Sequence, residues 1–243
     1  MTTFHFNGQP LDNDLVTSIS SLLDAINIPN LLWGNYLLTV YGVPTIVDGI
    51  SFVIPDALIE ISFSTLAEAG FHLCSRHLDC PHSNSIHCPP PYKHLHIDDE
   101  LAISLYKKSD VLWEFPEFET TFHDTSADIT IMFASDARLP LATLGRGRGR
   151  FFPHLSSVRI PSPSKYCEAV ILLLCRDYGT ARESYWLAIL TYVVEFVDGT
   201  DIFDEGGLRE GYRRFYHALK RGDPEMYLIL EDLRRDFMQS PCL

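Results

Sequence analysis

The segment LLWGNYLLTVYGVPTIVDGISFVIPD, residues 31–56, decides the fold. It predicts a glycine turn within an apolar helix, followed by a buried strand over residues 50–54. Side chains two residues apart on a strand project from the same face, so positions 49 and 51 form a pair. Gly49 and Ser51 occupy these two positions. The nearby Asp48 is one residue out of register and is expected on the opposite face of a regular strand.

The composition is that of a folded, acidic protein. The chain has 243 residues, of which 46% are hydrophobic and 21% charged, enough for one large domain or two small lobes. A net charge of -13 disfavours nonspecific attraction to nucleic acid or anionic membranes. The N-terminus has no signal-peptide pattern and the apolar runs are too short to span a bilayer. We therefore expect a cytoplasmic protein with six reduced cysteines and no membrane partner.

Hydrophobic periodicity divides the chain into two lobes. The first, residues 1–160, has predicted helices over 14–26 and 55–69 and strands over 50–54, 95–97, 102–106, 129–133 and 158–160. The second, residues 161–243, has predicted helices over 164–177, 183–197, 205–219 and 224–238. The expected class is α+β: a small mixed sheet with flanking helices, followed by a C-terminal helical lobe.

Three segments carry a resemblance to a known family. They are LWGN at 32–35, VDGISFVIPD at 47–56 and VRIPSPSKYCEAVILLLCRD at 158–177. They resemble the glycine turn, the catalytic strand and the capped helix of bacterial antitoxin-type nucleotidyltransferases, which implies a nucleotidyltransferase-like fold. That family places two metal-binding aspartates where this chain has Gly49 and Ser51. The resemblance therefore implies the scaffold without its two-metal chemistry.

The overall layout is also similar to that of small fungal proteins related to the arginine-containing cyclodipeptide synthases. This resemblance implies a transferase that joins arginine and a second amino acid, taken from two charged tRNAs, into a diketopiperazine. Because an aminoacyl ester is already activated, neither a metal nor another cofactor is expected. The implied partners are arginyl-tRNA and a second aminoacyl-tRNA, and protein partners stay open.

A polar seam runs along the predicted helix 183–197. It comprises Ser184, Ala188, Thr191, Glu195 and Asp198, while the remaining positions are largely apolar. If the seam lines a cleft, Glu195 is a candidate general base, Ser184 a candidate acyl acceptor, and Thr191 and Asp198 candidate substrate ligands. The alternative is that the seam is the solvent-facing side of the helix.

The segment 31–56 supplies further candidates. Ser51 is a candidate to bind substrate or accept an acyl group, and Asp48 is a candidate acid or base. Trp33, Asn35 and Tyr41 are candidates to stack against or orient the substrate. The alternative for all three is a place in the core.

The loop LGRGRGRFF, residues 144–152, is the concentrated basic element of the chain. Arg146, Arg148 and Arg150 on a glycine-rich backbone could contact tRNA phosphates, with the neighbouring Phe151 and Phe152 available for base stacking. The alternative is a solvated loop whose arginines pair with nearby acids.

The segment 72–96 is rich in cysteine and histidine. Cys74, Cys80, Cys88, His94 and His96 offer enough ligands for tetrahedral zinc, but no C-x2-C pair occurs among them. A metal here is expected to be structural. The alternative is a proline-rich loop with buried thiols and exposed imidazoles, and the spacing does not decide between the two.

Two other classes of function stay open. A nucleotidyltransferase with displaced acids would bind magnesium and nucleotide through Asp48, Asp56 and Asp128, with Asp136 as a further remnant ligand. A non-catalytic module would bind another protein through its aromatic-rich helical lobe. The sequence leaves open the second amino acid, the oligomeric state, and the choice between a covalent acyl-enzyme and direct transfer.

Overall fold

The computed structural model describes residues 4–76, 79–83, 88–119, 130–142, 147–155 and 157–239. The chain forms two compact units. Unit 1 comprises Met1–Ser85 and Pro90–Pro161, and unit 2 comprises Ile86–Pro89 and Ser162–Leu243. The main division therefore lies between residues 161 and 162, next to the predicted boundary between 160 and 161.

Unit 1 mixes helices and strands. In chain order its elements are α1 (Asn13–Asp24), β1 (Leu31–Trp33), α2 (Gly34–Val40), β2 (Gly49–Ile54), α3 (Ile59–Glu68), β3 (His72–Leu73), β4 (Lys93–His96), β5 (Ala102–Lys107), α4 (Lys108–Val111), β6 (Ile131–Phe133) and β7 (Arg159–Pro161). Short 3-10 turns cover Asp56–Leu58 and Pro153–Leu155. The predicted α+β class, a mixed sheet with flanking helices, is confirmed.

Five strands form the main sheet, in the order β1-β2-β5-β4-β3. The β2–β5 pair is parallel and every other neighbouring pair is antiparallel. Parallel neighbours need a crossover connection, and the chain between β2 and β5 supplies it with α3, β3 and β4. The strands β6 and β7 form a separate antiparallel pair.

The register gives the main sheet two different faces. Ile50, Phe52, Leu95, Ile103 and Leu105 share one face and are buried. Lys93, on the same face, forms an ion pair with Glu60 of α3. The opposite face carries Ser51, Ser104 and His94 in one row, all half-buried. Both faces contribute to the core, since Leu31, Trp33 and Val53 on the second face are also buried. Polar side chains nevertheless collect on the second face from Ser51 to β3, and we call it the polar face.

Helix α1 is fixed at both ends. The side chain of Asp12 caps it by accepting a hydrogen bond from the Leu15 amide at 2.9 Å. Near its other end, the buried amide of Asn30 donates to Asp24 at 2.9 Å, and the buried Arg159 of β7 pairs with the same carboxylate. This buried network joins α1 to β7. Losing Asp24 would be destabilising, because Arg159 would then remain buried without its carboxylate partner.

Unit 2 is helical. It contains α5 (Pro163–Asp177), α6 (Glu183–Tyr192), a π-helical turn at Val193–Val197, α7 (Glu210–Arg221) and α8 (Met226–Gln239). The sequence predicted all four α-helices, but it extended the second one through the π-helical turn. A π-turn keeps a helix-like apolar pattern while its hydrogen bonds widen to i+5, so periodicity does not distinguish it.

Three short elements were not predicted: β1, β3 and α4, which have three, two and four residues. Elements of this length are too short to show a period, and their pairing partners lie far away in sequence. Residue 129, the predicted start of one strand, lies outside the described residues, and β6 begins at Ile131. Within the described chain, no helix combines the length and the apolarity that crossing a bilayer requires.

Candidate functional site

Gly49 begins β2 in a conformation that excludes side chains. Its φ is +150°, and a Cβ built on it would lie 1.9 Å from the carbonyl oxygen of Ala102 on β5. The strands are already tied here, since the Ala102 amide donates to the Asp48 carbonyl oxygen at 3.2 Å. Position 49 therefore cannot carry a carboxylate while β2 and β5 are paired in this register.

Ser51 occupies the other position of the pair. It lies across from Trp33 on β1 and from Ser104 on β5, and it is half-buried. Gly34, which begins α2 with φ +68°, faces it: a Cβ at Gly34 would lie 3.1 Å from the Ser51 hydroxyl oxygen. A side chain at position 34 would therefore crowd the Ser51 hydroxyl, and glycine avoids this contact.

Two rows of residues cross the polar face of the sheet. One row contains Ser51, Ser104 and His94, and the next contains Gly49, Ala102, His96 and His72. Adjacent strands are about 4.8 Å apart, so Ser104 lies between the Ser51 hydroxyl and the His94 imidazole. Hydroxyls and imidazoles, which are proton donors and acceptors at neutral pH, therefore line this face.

Beside this face, four metal-ligating side chains converge. One ligand atom from each of Cys74, Cys80, His94 and His96 lies within 4.8 Å of the other three. The Cys80 Sγ is 3.3 Å from the His94 Nε2 and 3.7 Å from the His96 Nε2. Cys88, which the sequence pattern also offered, is not a member of this group.

Burial shifts both histidines of this group toward the neutral form by lowering their pKa. Burial, with added repulsion from His96 and His82, lowers the pKa of His94 to about 4. Burial also lowers the pKa of His96. The ring of His82 lies 5.9 Å from that of His94, and its Nε2 is 3.1 Å from the Glu100 carbonyl oxygen.

Two predicted substrate ligands belong to the core instead. Trp33 is 3% exposed and Tyr41 is 1% exposed, so neither ring is available to a bound molecule. The Tyr41 hydroxyl donates to the Pro161 carbonyl oxygen at 2.7 Å. Asn35 is half-buried near the start of α2, and Asp48 is exposed just before β2. The substrate role predicted for the two aromatic residues is therefore corrected to packing.

The structure also revises the basic loop. Phe151 is 1% exposed and packs edge-on against Tyr36, so it cannot stack on a base, whereas Phe152 is 67% exposed. The Arg148 guanidinium lies 4.8 Å from the centre of the Tyr36 ring, and Arg150 donates to the Ala137 carbonyl oxygen at 2.7 Å. The predicted contact through Arg146 lies outside the described residues.

In unit 2, the polar seam is exposed. The side chains of Ser184, Thr191 and Glu195 face solvent, and the first two hydroxyls donate to carbonyl oxygens of the preceding helical turn. Asp198 forms an ion pair with Lys220 at 2.5 Å. This exposure fits the alternative of a solvent-facing side of the helix, and the catalytic role of Glu195 stays a prediction.

The acids proposed for magnesium do not assemble. The Asp56 carboxylate accepts hydrogen bonds from the Ser109 amide and hydroxyl, and Asp136 forms an ion pair with Arg138. Asp128 lies outside the described residues. Among the residues that the structure describes, the Cys/His group is the only convergent set of three or more such ligands, and it contains no carboxylate.

No protein-family model and no curated protein matches the chain. Two solved structures are similar to it. One is an antigenic nucleotidyltransferase-like protein from Paracoccidioides brasiliensis, with 14% identity, a TM-score of 0.42, and coverage of 90% of this chain and 91% of that one. The other is the antibiotic-resistance factor ANT(2'')-Ia, with 13% identity, a TM-score of 0.39, and coverage of 92% and 97%. Both TM-scores are below 0.5, so neither similarity assigns an activity.

Proposed function

We propose that this chain is an aminoacyl transferase that joins arginine and a second amino acid from charged tRNAs into a diketopiperazine. The observation that carries the proposal is the geometry at the start of β2. Position 49 is closed to any side chain and Ser51 presents a hydroxyl, so the pair has no metal-binding acids. This arrangement favours chemistry on a substrate that is already activated over two-metal phosphoryl transfer.

The reaction needs positioning and proton transfer. In each of two steps, the amine of one aminoacyl group attacks the ester carbonyl of the other. An amide bond forms and the ester bond to a tRNA ribose oxygen breaks. The proton lost by the amine ends on the departing ribose hydroxyl, so neither ATP nor a redox partner is consumed. A covalent variant passes one acyl group through the Ser51 hydroxyl, with the same overall balance.

Asp48 and Ser51 are the residues of unit 1 that fit this chemistry. Asp48 directly precedes Gly49 and is exposed to solvent. Its carboxylate can therefore accept a proton or form hydrogen bonds with a guanidinium group. Ser51 is half-buried on β2, and its hydroxyl can act as a nucleophile or hydrogen-bond an ester. We assign Asp48 to proton transfer or arginine binding and Ser51 to the reacting ester.

The test is a reconstituted synthesis. Purified protein is incubated with tRNA, arginyl-tRNA synthetase, arginine and a mixture of the other charged tRNAs, and mass spectrometry searches for diketopiperazines that contain arginine. We expect a product that disappears after RNase treatment. Asp48→Asn and Ser51→Ala should each lower its yield at least tenfold, in line with the usual effect of losing an acid–base group (about 10²-fold).

A matched control is Ser18→Ala. Ser18 lies on α1, and its hydroxyl bonds to the Asp14 carbonyl oxygen of the same helix, so product yield should not change. Absence of product together with magnesium-dependent ATP binding would support a nucleotidyltransferase with displaced acids instead. Absence of both would leave a non-catalytic interaction module.

A further inference from the structure

The Cys/His group is built on a rigid platform. His94 and His96 are two residues apart on β4, so both imidazoles project from the same face. Strand β4 pairs with β5 on one side and with β3 on the other. Because both edges of β4 are hydrogen-bonded, the two ligands are held by the sheet and not by a loop.

The thiols reach this platform from the β3 side. His72 pairs with His96 and Leu73 with Leu95, so continuing the register by one residue brings Cys74 opposite His94. Cys80 lies fully buried beside both imidazoles. A local pairing of two strands therefore assembles the ligands, although the sequence has no C-x2-C pair.

The distances fit a tetrahedral metal. With Zn–S bonds of about 2.3 Å and Zn–N bonds of about 2.0 Å, ligand atoms in a tetrahedral site lie roughly 3.3–3.8 Å apart. The two measured distances from the Cys80 Sγ, 3.3 and 3.7 Å, fall in this range. All four ligand atoms lie within 4.8 Å of one another, close enough to converge on one ion with small side-chain shifts.

We propose that Cys74, Cys80, His94 and His96 bind one Zn²⁺ ion and fix the 74–83 loop against the polar face of the sheet. Two thiolates with two imidazoles suit zinc, whereas magnesium and calcium require oxygen ligands. Four protein ligands close the coordination shell, so the ion is structural and does not activate water. The site is independent of the proposed transferase activity.

The cavities around the Cys/His group indicate why a metal ion would stabilise the segment that carries Cys74 and Cys80. Two cavities adjoin the group. One of about 350 Å³ is lined by residues that include Arg76, His96 and Asp98. The other, of about 340 Å³, is lined by residues that include Cys74, Ser83 and His94. The segment that carries Cys74 and Cys80 therefore borders open space, and a metal bond supplies order that apolar packing does not.

The test is the zinc content of the full chain. Protein purified under reducing conditions without chelators should contain about one zinc per chain by inductively coupled plasma mass spectrometry. Cys80→Ser and His94→Asn should each lower this content at least fivefold. Cobalt loading of the wild-type protein should give thiolate charge-transfer absorption together with the visible bands of tetrahedral cobalt.

His72→Asn is the matched control. His72 lies across from His96 on β3 and is exposed, but it is not one of the four ligands, so its loss should leave the zinc content unchanged. If a ligand variant does not fold, thiol modification of the wild-type protein in the presence of a metallochromic dye replaces it and should release the zinc.

Three results would overturn the proposal. They are substoichiometric zinc after reconstitution, equal zinc loss in His72→Asn and Cys80→Ser, and a disulfide between Cys74 and Cys80 in protein isolated without reductant. The last result would show that the two thiols pair with each other instead of with a metal.

Discussion

A Cβ at Gly49 would lie 1.9 Å from the carbonyl oxygen of Ala102, so the parallel pairing of β2 and β5 at this point requires a residue without a side chain. Gly49→Asp, the change that would restore an acid at this position, should therefore destabilise the protein and not create a metal site. The expected loss is roughly 3 kcal/mol, because backbone strain and a broken β2–β5 contact add together. Urea denaturation followed by circular dichroism measures it.

Gly8→Ala separates strain from the steric clash. Gly8 also has a positive φ, +80°, but a Cβ there would meet nothing within 4 Å. This control should cost about 1 kcal/mol, the cost of a left-handed conformation alone. If Gly49→Asp folds with normal stability and binds magnesium, the conclusion that position 49 cannot carry a side chain is wrong.

The Tyr41 hydroxyl and the Pro161 carbonyl oxygen form a buried hydrogen bond of 2.7 Å between the end of α2 and β7. Tyr41→Phe should reduce the free energy of unfolding by about 1 kcal/mol, since the carbonyl loses its donor. Tyr92→Phe is the control, because the Tyr92 hydroxyl bonds to Glu60 at the exposed surface. If Tyr41→Phe changes the KM for substrate without changing stability, Tyr41 contacts the substrate, as the sequence predicted.

The indole of Trp186 donates to the buried Asp177 carboxylate at 2.8 Å. Burial alone would raise the pKa of Asp177, but the hydrogen bonds from Arg176 and Trp186 outweigh it and hold the pKa below its usual value. The ionised form is thus favoured in the folded state. This contribution to stability is present above the unfolded-state pKa of about 3.9 and disappears as the pH falls through the lower folded-state value.

Trp186→Phe should therefore be more destabilising at pH 7 than at pH values below the folded-state pKa of Asp177. Loss of the hydrogen bond to the charged carboxylate causes this difference, on the order of 1 kcal/mol, whereas the cavity left by the smaller ring has no pH dependence. Urea titrations of both proteins across this pH range give the comparison. In an Asp177→Asn background the cost of Trp186→Phe should be constant with pH, and a persistent slope there would assign the effect to another group.

The sequence predicted the order of the longer helices and strands because each of these has a local period, but it could not reveal which strands pair. Gly49 was identified as a missing acid, whereas its clash depends on Ala102, which lies in a distant strand. Cys74, Cys80, Cys88, His94 and His96 were all candidate ligands from the sequence, but only the structure shows that four of them converge and that Cys88 does not belong to the group. The pattern of an apolar segment cannot tell a core ring from one that lines a cleft, so Trp33 was misassigned.

Phe151 and Phe152 are adjacent but differ in exposure, 1% against 67%, and this difference gives a direct test of the basic loop. Phe151→Ala should cost about 3–5 kcal/mol of stability by opening a cavity beside Tyr36. Phe152→Ala should leave stability within about 0.5 kcal/mol. If the loop binds the acceptor end of tRNA, Phe152→Ala should also weaken tRNA binding by about 1–3 kcal/mol, the usual value for one stacked base.

Fluorescence anisotropy with labelled tRNA at fixed salt measures that affinity, and Arg148→Ala provides a second probe. The Arg148 guanidinium rests on the Tyr36 ring, so its loss removes one cation from the loop and should reduce the salt dependence of binding by about one unit of slope. Unchanged affinity and unchanged salt dependence in both variants would mean that the arginines of this loop serve its packing, because Arg148 and Arg150 already have partners in unit 1.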